Sequence, residues 1–252
     1  MAHNIRSKCI TFNHSALLAP VVLEHEPEEL PSARDDGADG TNLRLWPTAL
    51  VLSEFLCEHP EYVAGKRVVE LGSGSGAVGL VCSALGAASV TLTDVGDALP
   101  LIARNVHKNE ANGVRVAPCL WGNEDHISCL LVNVPGVAAA SSTDASAGLT
   151  VAPAEGYDVV ICCEVIYQQP ASVLDALART QQRLAKPGGI IMLAYEFRNG
   201  LSEDIAYFDV ASELFGDSIT HQLNNGLAQA YMDGQGDDGN DDRFLYIYKQ
   251  RH

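Results

Sequence analysis

Residues 67–80 read Arg-Val-Val-Glu-Leu-Gly-Ser-Gly-Ser-Gly-Ala-Val-Gly-Leu. The β-branched apolar run at the start is typical of a buried strand, and the sequence after the glycines is compatible with a helix. Gly72, Gly74 and Gly76 lack side chains where the backbone must turn sharply, and the N-terminus of a helix presents unpaired N–H groups. The stretch therefore predicts a strand, a tight turn and a helix start that bind a nucleotide-like ligand.

The spacing of these glycines separates two classes of cofactor. Nicotinamide enzymes use G-x-G-x-x-G in this context, whereas the glycines here are spaced G-x-G-x-G and Glu70 precedes the first by two residues. A carboxylate repels a pyrophosphate and attracts the positively charged amino group of an amino acid. Glu70 therefore favours a cofactor with an amino-acid end. A strand-to-helix turn without any ligand is the alternative that the loop alone leaves open.

Length and composition limit the class of protein. The chain of 252 residues can bury a full core, and we expect one domain over residues 1–252. No apolar run approaches the roughly 20 residues of a membrane span, and the N-terminus lacks the apolar stretch of a secretory signal. We expect no membrane association and a location in the cytoplasm, with the nucleus as a second location. The seven cysteines lack metal-finger spacing, which predicts reduced thiols and no metal site.

The charge balance bears on macromolecular partners. Lys and Arg total 16 and Asp and Glu total 32, so the formal net charge is −16. A nucleic-acid backbone repels such a chain unless a basic patch overrides the repulsion, and Lys and Arg form no cluster. A basic protein segment is the easier substrate on electrostatic grounds. Acidity that serves only solubility is the alternative interpretation.

The order of predicted elements indicates the α/β fold class. Residues 1–42 form an N-terminal extension in which the runs 9–12 and 18–23 predict a β-ribbon. Residues 43–252 form the core of the domain, and their alternating strands and helices predict a doubly wound, mostly parallel sheet finished by a C-terminal hairpin-like pair. Within this core, an Ala- and Ser-rich stretch near 132–154 predicts a flexible insertion.

Ligands in such sheets bind at the carboxyl ends of the strands. The strand at 89–94 ends in Asp94, 22 residues beyond Gly72, close to the roughly 20 expected for an acid that binds ribose hydroxyls. A helix cap is the alternative role of Asp94, because a helix follows. Trp121 ends the third strand, and Glu164 ends the fourth, whose near-continuous apolar residues predict a central place in the sheet.

Two further signals concern strand placement. Pro118 in the third strand predicts that this strand lies at an edge of the sheet. The sequence 186–189, Lys-Pro-Gly-Gly, predicts the end of a helix that covers about 171–185, and a strand follows at 190–196.

Several motifs agree with one another along the chain. They are Leu45-Trp46-Pro47 before a helix, the glycine loop after Glu70, Thr93-Asp94, Leu120-Trp121-Gly122, and the acid-x-x-Tyr motif Glu164-Val-Ile-Tyr167. Together they resemble the class I, seven-β-strand S-adenosylmethionine methyltransferases, and among these the family 16 protein-lysine methyltransferases. The resemblance covers residues 43–196, and more loosely runs to residue 248. It implies a Rossmann-like methyltransferase fold with a seven-stranded sheet.

The resemblance also implies S-adenosyl-L-methionine as the cofactor, with a role for each matching residue. Glu70 and the loop backbone hold the methionine end, Asp94 the ribose hydroxyls, and Trp121 stacks near adenine. Glu164 and Tyr167 are the implied catalytic residues, which frame the amine that receives the methyl group. The implied cofactor-binding residues are Trp46, Glu70, Gly72, Ser73, Gly74, Gly76, Asp94, Trp121 and Cys163.

The implied reaction is methyl transfer to an amine by a monomer. The resemblance indicates a protein substrate with an accessible lysine, such as a chaperone or a translation factor. An N/D-P-P-Y element, typical of adenine and glutamine N-methylation, is absent after strand four, which adds to the argument against nucleic acid. A small-molecule methyltransferase, and a cofactor-binding protein that acts by gripping a partner, are the alternatives.

Overall fold

The computed structural model describes residues 8–25, 41–132, 156–166, 169–197, 204–223 and 242–251. These residues form a two-stranded ribbon and a seven-stranded sheet. Tyr167 and the predicted insertion beyond Val132 lie outside the described residues. Across the described ranges, no helix combines the length and the hydropathy that crossing a membrane requires.

The elements follow one another in the alternating order that the sequence predicts. The ribbon strands are β1 (Lys8–Phe12) and β2 (Val21–His25). The sheet strands are β3 (Arg67–Leu71), β4 (Ser89–Asp94), β5 (Val114–Pro118), β6 (Tyr157–Cys163), β7 (Ala185–Glu196), β8 (Ile219–Gln222) and β9 (Arg243–Lys249). The helices are α1 (Pro47–Glu58), α2 (Ala77–Ala84), α3 (Leu99–Lys108), α4 (Glu124–Val132), α5 (Ala171–Leu184) and α6 (Ile205–Phe215).

The sheet has the order β5-β4-β3-β6-β7-β9-β8. The first five strands are parallel, and β9 runs antiparallel to both β7 and β8. The doubly wound α/β fold with its C-terminal antiparallel pair is therefore confirmed, as are the edge position of β5 and the central position of β6. The strand order reverses between β3 and β6, and such a switch point opens a crevice at the carboxyl ends of the strands.

Helices cover both faces of the sheet. One face packs against α1, α2 and α3, and the opposite face packs against α4, α5 and α6. Strands covered on both faces require apolar side chains pointing both ways, which explains the near-continuous apolar sequence of β6. Burial on both faces holds the strand ends, and the loops that follow them, on a rigid base.

The N-terminal ribbon is confirmed, with its second strand shifted toward the C-terminus. β2 begins at Val21, whereas the sequence predicts a start at residue 18. Leu18 is fully exposed and contributes no buried contact that would extend the strand. Asn105 of α3 and Asn109, which directly follows α3, accept hydrogen bonds from backbone N–H groups of β2 at 2.7 Å. These two side chains attach the ribbon to the sheet domain.

The predicted end of the helix before residues 186–189 is confirmed, because α5 ends at Leu184. The predicted start of the next strand at residue 190 is wrong. β7 begins at Ala185, directly after α5. The Gly188 N–H donates to the Gln250 carbonyl at 3.1 Å, and the Gln250 N–H donates to the Gly189 carbonyl at 2.8 Å. Pairing with the residues after β9 therefore keeps this glycine-containing segment extended, although its local sequence favours a turn.

Candidate active site

The glycine loop connects β3 to α2 and is tied to β4. Gly72, Gly74 and Gly76 have φ angles of +67°, +54° and +79°, in the left-handed region that glycine adopts without steric penalty. The Ser73 N–H donates to the Thr93 carbonyl at 2.9 Å, and the Thr93 N–H donates to Ser73 Oγ at 3.0 Å. The end of β4 therefore fixes the shape of the loop.

Gly72 lies where a side chain has no room. A Cβ atom on this residue would stand 2.7 Å from Val165 Cγ1 and 3.5 Å from Trp121 Cζ2. A larger residue would therefore displace Val165 and come into van der Waals contact with Trp121. Glycine at this position keeps the backbone accessible to a ligand.

A cavity of about 390 Å³ lies beside this loop, within the roughly 300–1,000 Å³ that is typical of small-molecule sites. It is bordered by the carboxyl ends of β3, β4 and β6, at the point where the strand order reverses. Its lining residues are Asn42, Trp46, Gly72, Gly74, Asp94, Val95, Cys119, Leu120, Trp121, Cys163, Glu164, Val165, Gln169 and Val173.

Asp94 reaches the cavity from the end of β4 and holds the glycine loop. Its Oδ2 accepts from the Gly74 N–H, and its Oδ1 accepts from the Val95 N–H, both at 2.7 Å. Burial raises the pKa of Asp94 to about 6, although the two N–H groups act in the opposite direction. Because α3 begins at Leu99 with Ala98 as its N-cap residue, the alternative role of Asp94 as the cap of this helix is wrong.

Glu70 lies beneath the loop, against α2. Its side chain is buried, and its Oε2 accepts from the Gly79 N–H at 2.9 Å. Gly79 is the third residue of α2, so the carboxyl group satisfies one of the unpaired N–H groups of the first helical turn. Burial raises the pKa of Glu70 to about 8. This capping role was not predicted from the sequence, and the contact between Glu70 and the methionine end of a cofactor stays a prediction.

Glu164 follows β6 in a conformation that is unusual for a residue with a side chain. Its φ angle is +57°, and in this left-handed region a non-glycine residue is strained. Glu164 Oε1 accepts from the Glu196 N–H at 2.8 Å. The strained backbone and the bond to β7 hold the carboxylate at the cavity wall.

Both predicted tryptophans line the cavity and are half-buried. Trp46 is the N-cap residue of α1 and has an extended backbone. Trp121 packs on the core cluster that α4, α5 and α6 cover. The Gly122 N–H donates to Thr180 Oγ1 at 2.9 Å, which attaches the Trp121 turn to α5. A flat apolar ring in a cavity wall suits stacking against a planar ligand group.

The structure brings most of the predicted site residues to this one cavity. Those that line it are Trp46, Gly72, Gly74, Asp94, Trp121, Cys163 and Glu164. Glu70, Ser73 and Gly76 are not among the lining residues; Glu70 bonds to α2 and Ser73 bonds to the end of β4. Tyr167 lies outside the described residues, so its place at the amine stays a prediction.

Sequence reasoning missed several lining residues. Val95 and Leu120 are neighbours of the predicted Asp94 and Trp121, so their position after a strand was a usable signal. Asn42 gave no such signal, because it precedes α1 and reaches the site only through tertiary structure. Its Nδ2 donates to Asp97 Oδ1 at 2.9 Å, across the loop that follows β4.

Comparison with known proteins finds a match to one protein family within the first 132 residues of the chain. Residues 25–132 match the family described as lysine methyltransferase. Protein N-lysine methyltransferase METTL21A of Danio rerio is 30% identical over 158 residues, and EEF1A lysine methyltransferase 3 of Mus musculus is 32% identical over 161 residues. These alignments cover 61% and 63% of the chain, and the chain spans 60% and 57% of the two relatives.

Solved structures share the fold at low sequence identity. The 16S rRNA methyltransferase RsmC of T. Thermophilus, solved with AdoMet and guanosine, has a TM-score of 0.57 at 17% identity, covering 96% of this chain and 51% of that one. The N-methyltransferase NodS of Bradyrhizobium japonicum, solved with S-adenosyl-L-homocysteine, has a TM-score of 0.55 at 14% identity, covering 87% and 94% of the two chains. Likeness at this identity concerns the fold alone.

Proposed function

Because the chain is related to the lysine methyltransferases of family 16 and has the class I methyltransferase fold, we propose that it transfers the methyl group of S-adenosylmethionine to the side-chain amine of a lysine in a protein. The observation that carries the proposal is the shared cavity. One cavity is lined by the glycine loop and Asp94, which suit an adenosyl cofactor, and by Glu164, which suits an amine. The proposed reaction requires no metal, because the cofactor itself supplies the electrophile.

The residues around the loop fit this cofactor. The open backbone at Gly72 provides a cradle that a Cβ atom would fill. Asp94 accepts hydrogen bonds from the ribose hydroxyls, and Trp121 stacks on adenine. Trp46 and Cys163 complete the wall. When bound, S-adenosylmethionine supplies an electrophilic methyl group on a sulfonium, and the protein contributes position and electrostatics.

Glu164 acts on the acceptor side of the cavity. An incoming lysine carries a positive charge, which the carboxylate attracts. The ammonium must lose its proton before its nitrogen can attack, and a dry pocket favours the neutral amine. An ionised carboxylate has about four lone-pair sites, so Glu164 can accept from the Glu196 N–H and also from the amine. That second hydrogen bond orients the nitrogen lone pair, with Tyr167 as the second residue at the amine.

The acidic character of the chain supports a basic protein segment as the substrate. The net charge of −16 repels nucleic acid and attracts a lysine-rich surface. One relative is named for EEF1A, which supports a translation factor as the class of substrate, with a chaperone as the second class. We propose that the protein acts as a monomer in the cytoplasm, and also in the nucleus.

The test separates the proposed function from its alternatives. Isothermal titration with S-adenosylhomocysteine should show one site, and tritiated S-adenosylmethionine with cell lysate should label a protein whose modified residue is a lysine by mass spectrometry. Labelling confined to small molecules would contradict a protein substrate. Binding without any transfer would instead indicate a protein that acts by gripping a partner.

A further inference from the structure

The last rung between β6 and β7 is made by a side chain. The regular pairing of these strands ends with Cys163 opposite Ala194, and the Glu164 N–H then donates to the Ala194 carbonyl at 3.0 Å. The next donor on β7, the Glu196 N–H, bonds to the Glu164 carboxylate at 2.8 Å. The left-handed turn at Glu164 ends the strand, so the carboxylate takes the place of a backbone carbonyl.

Glu196 is held in turn by Arg243 on β9. The two residues are direct partners in the antiparallel ladder, and Arg243 Nε donates to Glu196 Oε2 at 2.8 Å. The arginine side chain is 1% exposed and the glutamate side chain is 12% exposed. Arg243 is therefore too deeply buried to touch a substrate, and any effect that it has on the site passes through Glu196.

A contribution to the stability of the fold does not explain why this ion pair is buried here. Replacing both charges of such a pair by apolar side chains is often neutral or stabilising, because taking the charges out of water is costly. The place of the pair gives a better reason. It fixes the residue of β7 whose backbone N–H holds the carboxylate of Glu164.

We propose that Glu196 and Arg243 are positioning residues for Glu164, an inference that rests on the function proposed above. The ion pair holds the end of β7 against β9, and the Glu196 N–H then aims the Glu164 carboxylate at the acceptor amine. A misplacement of about 1 Å at a reacting group can cost on the order of a hundredfold in rate. The pair therefore affects transfer and leaves the cofactor end of the cavity unchanged.

The decisive variant is Glu196→Met/Arg243→Met, which removes both charges and leaves neither one buried alone. Its kcat on the protein labelled in lysate should fall at least tenfold, while its Kd for S-adenosylhomocysteine stays within threefold. Arg243→Lys, which keeps the charge, should recover part of the lost kcat. Wild-type kcat in the folded double variant would overturn the proposal.

The sheet provides a matched control pair at its opposite end. Arg67 on β3 and Asp158 on β6 form a partly buried ion pair at 3.0 Å, between neighbouring strands and away from the cavity. Asp158 also forms an ion pair with Lys186 and accepts from the Arg67 backbone N–H, so Arg67→Met/Asp158→Asn should lower thermal stability. The same variant should leave kcat within twofold. An equal loss of kcat in this control would show that any damage to the sheet lowers activity, and would overturn the positioning role.

A second measurement does not depend on activity. By NMR, the backbone amide at position 196 should exchange its hydrogen slowly in the wild type, and at least tenfold faster in both Glu164→Ala and Glu196→Met/Arg243→Met. Unchanged exchange in the double variant would mean that the ion pair does not hold this amide, whatever happens to kcat. If the wild type binds S-adenosylhomocysteine but methylates no protein, the proposed function fails, and the exchange measurement still decides the positioning role.

Discussion

Asp94 combines near-complete burial with a raised pKa, and both properties bear on ligand binding. The carboxylate already accepts two backbone N–H groups, which hold it in place at the cavity wall. Only its ionised form is a full acceptor for ribose hydroxyls. The pKa of about 6 therefore places a change in its binding properties within an accessible pH range.

Asp94→Asn should weaken the binding of S-adenosylhomocysteine by about 1.5–3 kcal/mol at pH 8, the range for hydrogen bonds to a charged group. In the wild type, affinity should fall as the pH is lowered through about 6, because Asp94 becomes protonated. In the variant this dependence should disappear. Titration calorimetry between pH 5 and pH 8 measures both effects.

Asp175→Asn is the control for this experiment, because Asp175 lies on the surface of α5 in an ion pair with Arg179. It should bind like the wild type at every pH. Equal pH dependence in the wild type and in Asp94→Asn would show that another group is responsible.

At the scale of elements, β3 and α2 are joined by the Glu70 carboxyl group as well as by the glycine loop. The folded-state pKa of about 8 lies above the ordinary value of 4.5. Between these values the folded protein binds a proton that the unfolded chain releases, so this group lowers the free energy of unfolding as the pH rises from about 4.5 to about 8. Stability is lost because, at the higher pH, the folded protein must bury the charged carboxylate form of Glu70.

Glu70→Gln should therefore be more stable relative to the wild type at pH 8 than at pH 5. Urea unfolding at the two pH values measures the difference, and every other titrating group cancels in the comparison. Glu58→Gln, on the exposed side of α1, should show no such divergence. If the wild type and Glu70→Gln change in parallel, the carboxyl group at Glu70 is not the one that titrates.

The elements themselves could largely be predicted, because their signals are local. β-branched runs, the glycine turn and Pro118 each act on the backbone beside them, and the order of strands and helices then restricts the topology. The start of β7 was missed because pairing with Gln250 overrides a local Pro-Gly-Gly sequence. That pairing joins segments that are distant in the chain.

The same distinction between local and distant signals explains the site. Asp94 and Glu164 stand at strand ends, and strand ends can be read from the sequence. The left-handed backbone of Glu164 could not be predicted, since such a position normally favours glycine. The bond that holds the Glu164 carboxylate comes from Glu196, which is in turn paired with Arg243. These residues lie far apart in the chain, and no local pattern marks their contacts.

At the scale of the whole molecule, the net charge should affect the rate at which the protein meets its substrate more than it affects the rate of methyl transfer. With a net charge of −16, the protein attracts a basic acceptor over distances comparable with the Debye length, about 8 Å at physiological ionic strength. Raising the salt concentration should therefore raise the KM for a lysine-rich acceptor and leave kcat nearly unchanged. Steady-state kinetics at 50 and 500 mM NaCl measure KM and kcat, and the Kd of S-adenosylhomocysteine serves as the control. A fall in kcat without a rise in KM would contradict this prediction.

The left-handed backbone at Glu164 lowers the stability of the fold, whereas the side chain at the same position serves the proposed activity. A side chain in this conformation costs roughly 1–2 kcal/mol, a noticeable part of the roughly 5–15 kcal/mol that keeps a domain folded. Glu164→Gly should unfold at a higher temperature than Glu164→Ala, because both lack the carboxylate and only glycine escapes the strain; equal melting temperatures would count against strain. Among substitutions that remove the carboxylate, a screen for thermostable variants would therefore favour glycine, and it would enrich well-folded proteins that no longer methylate.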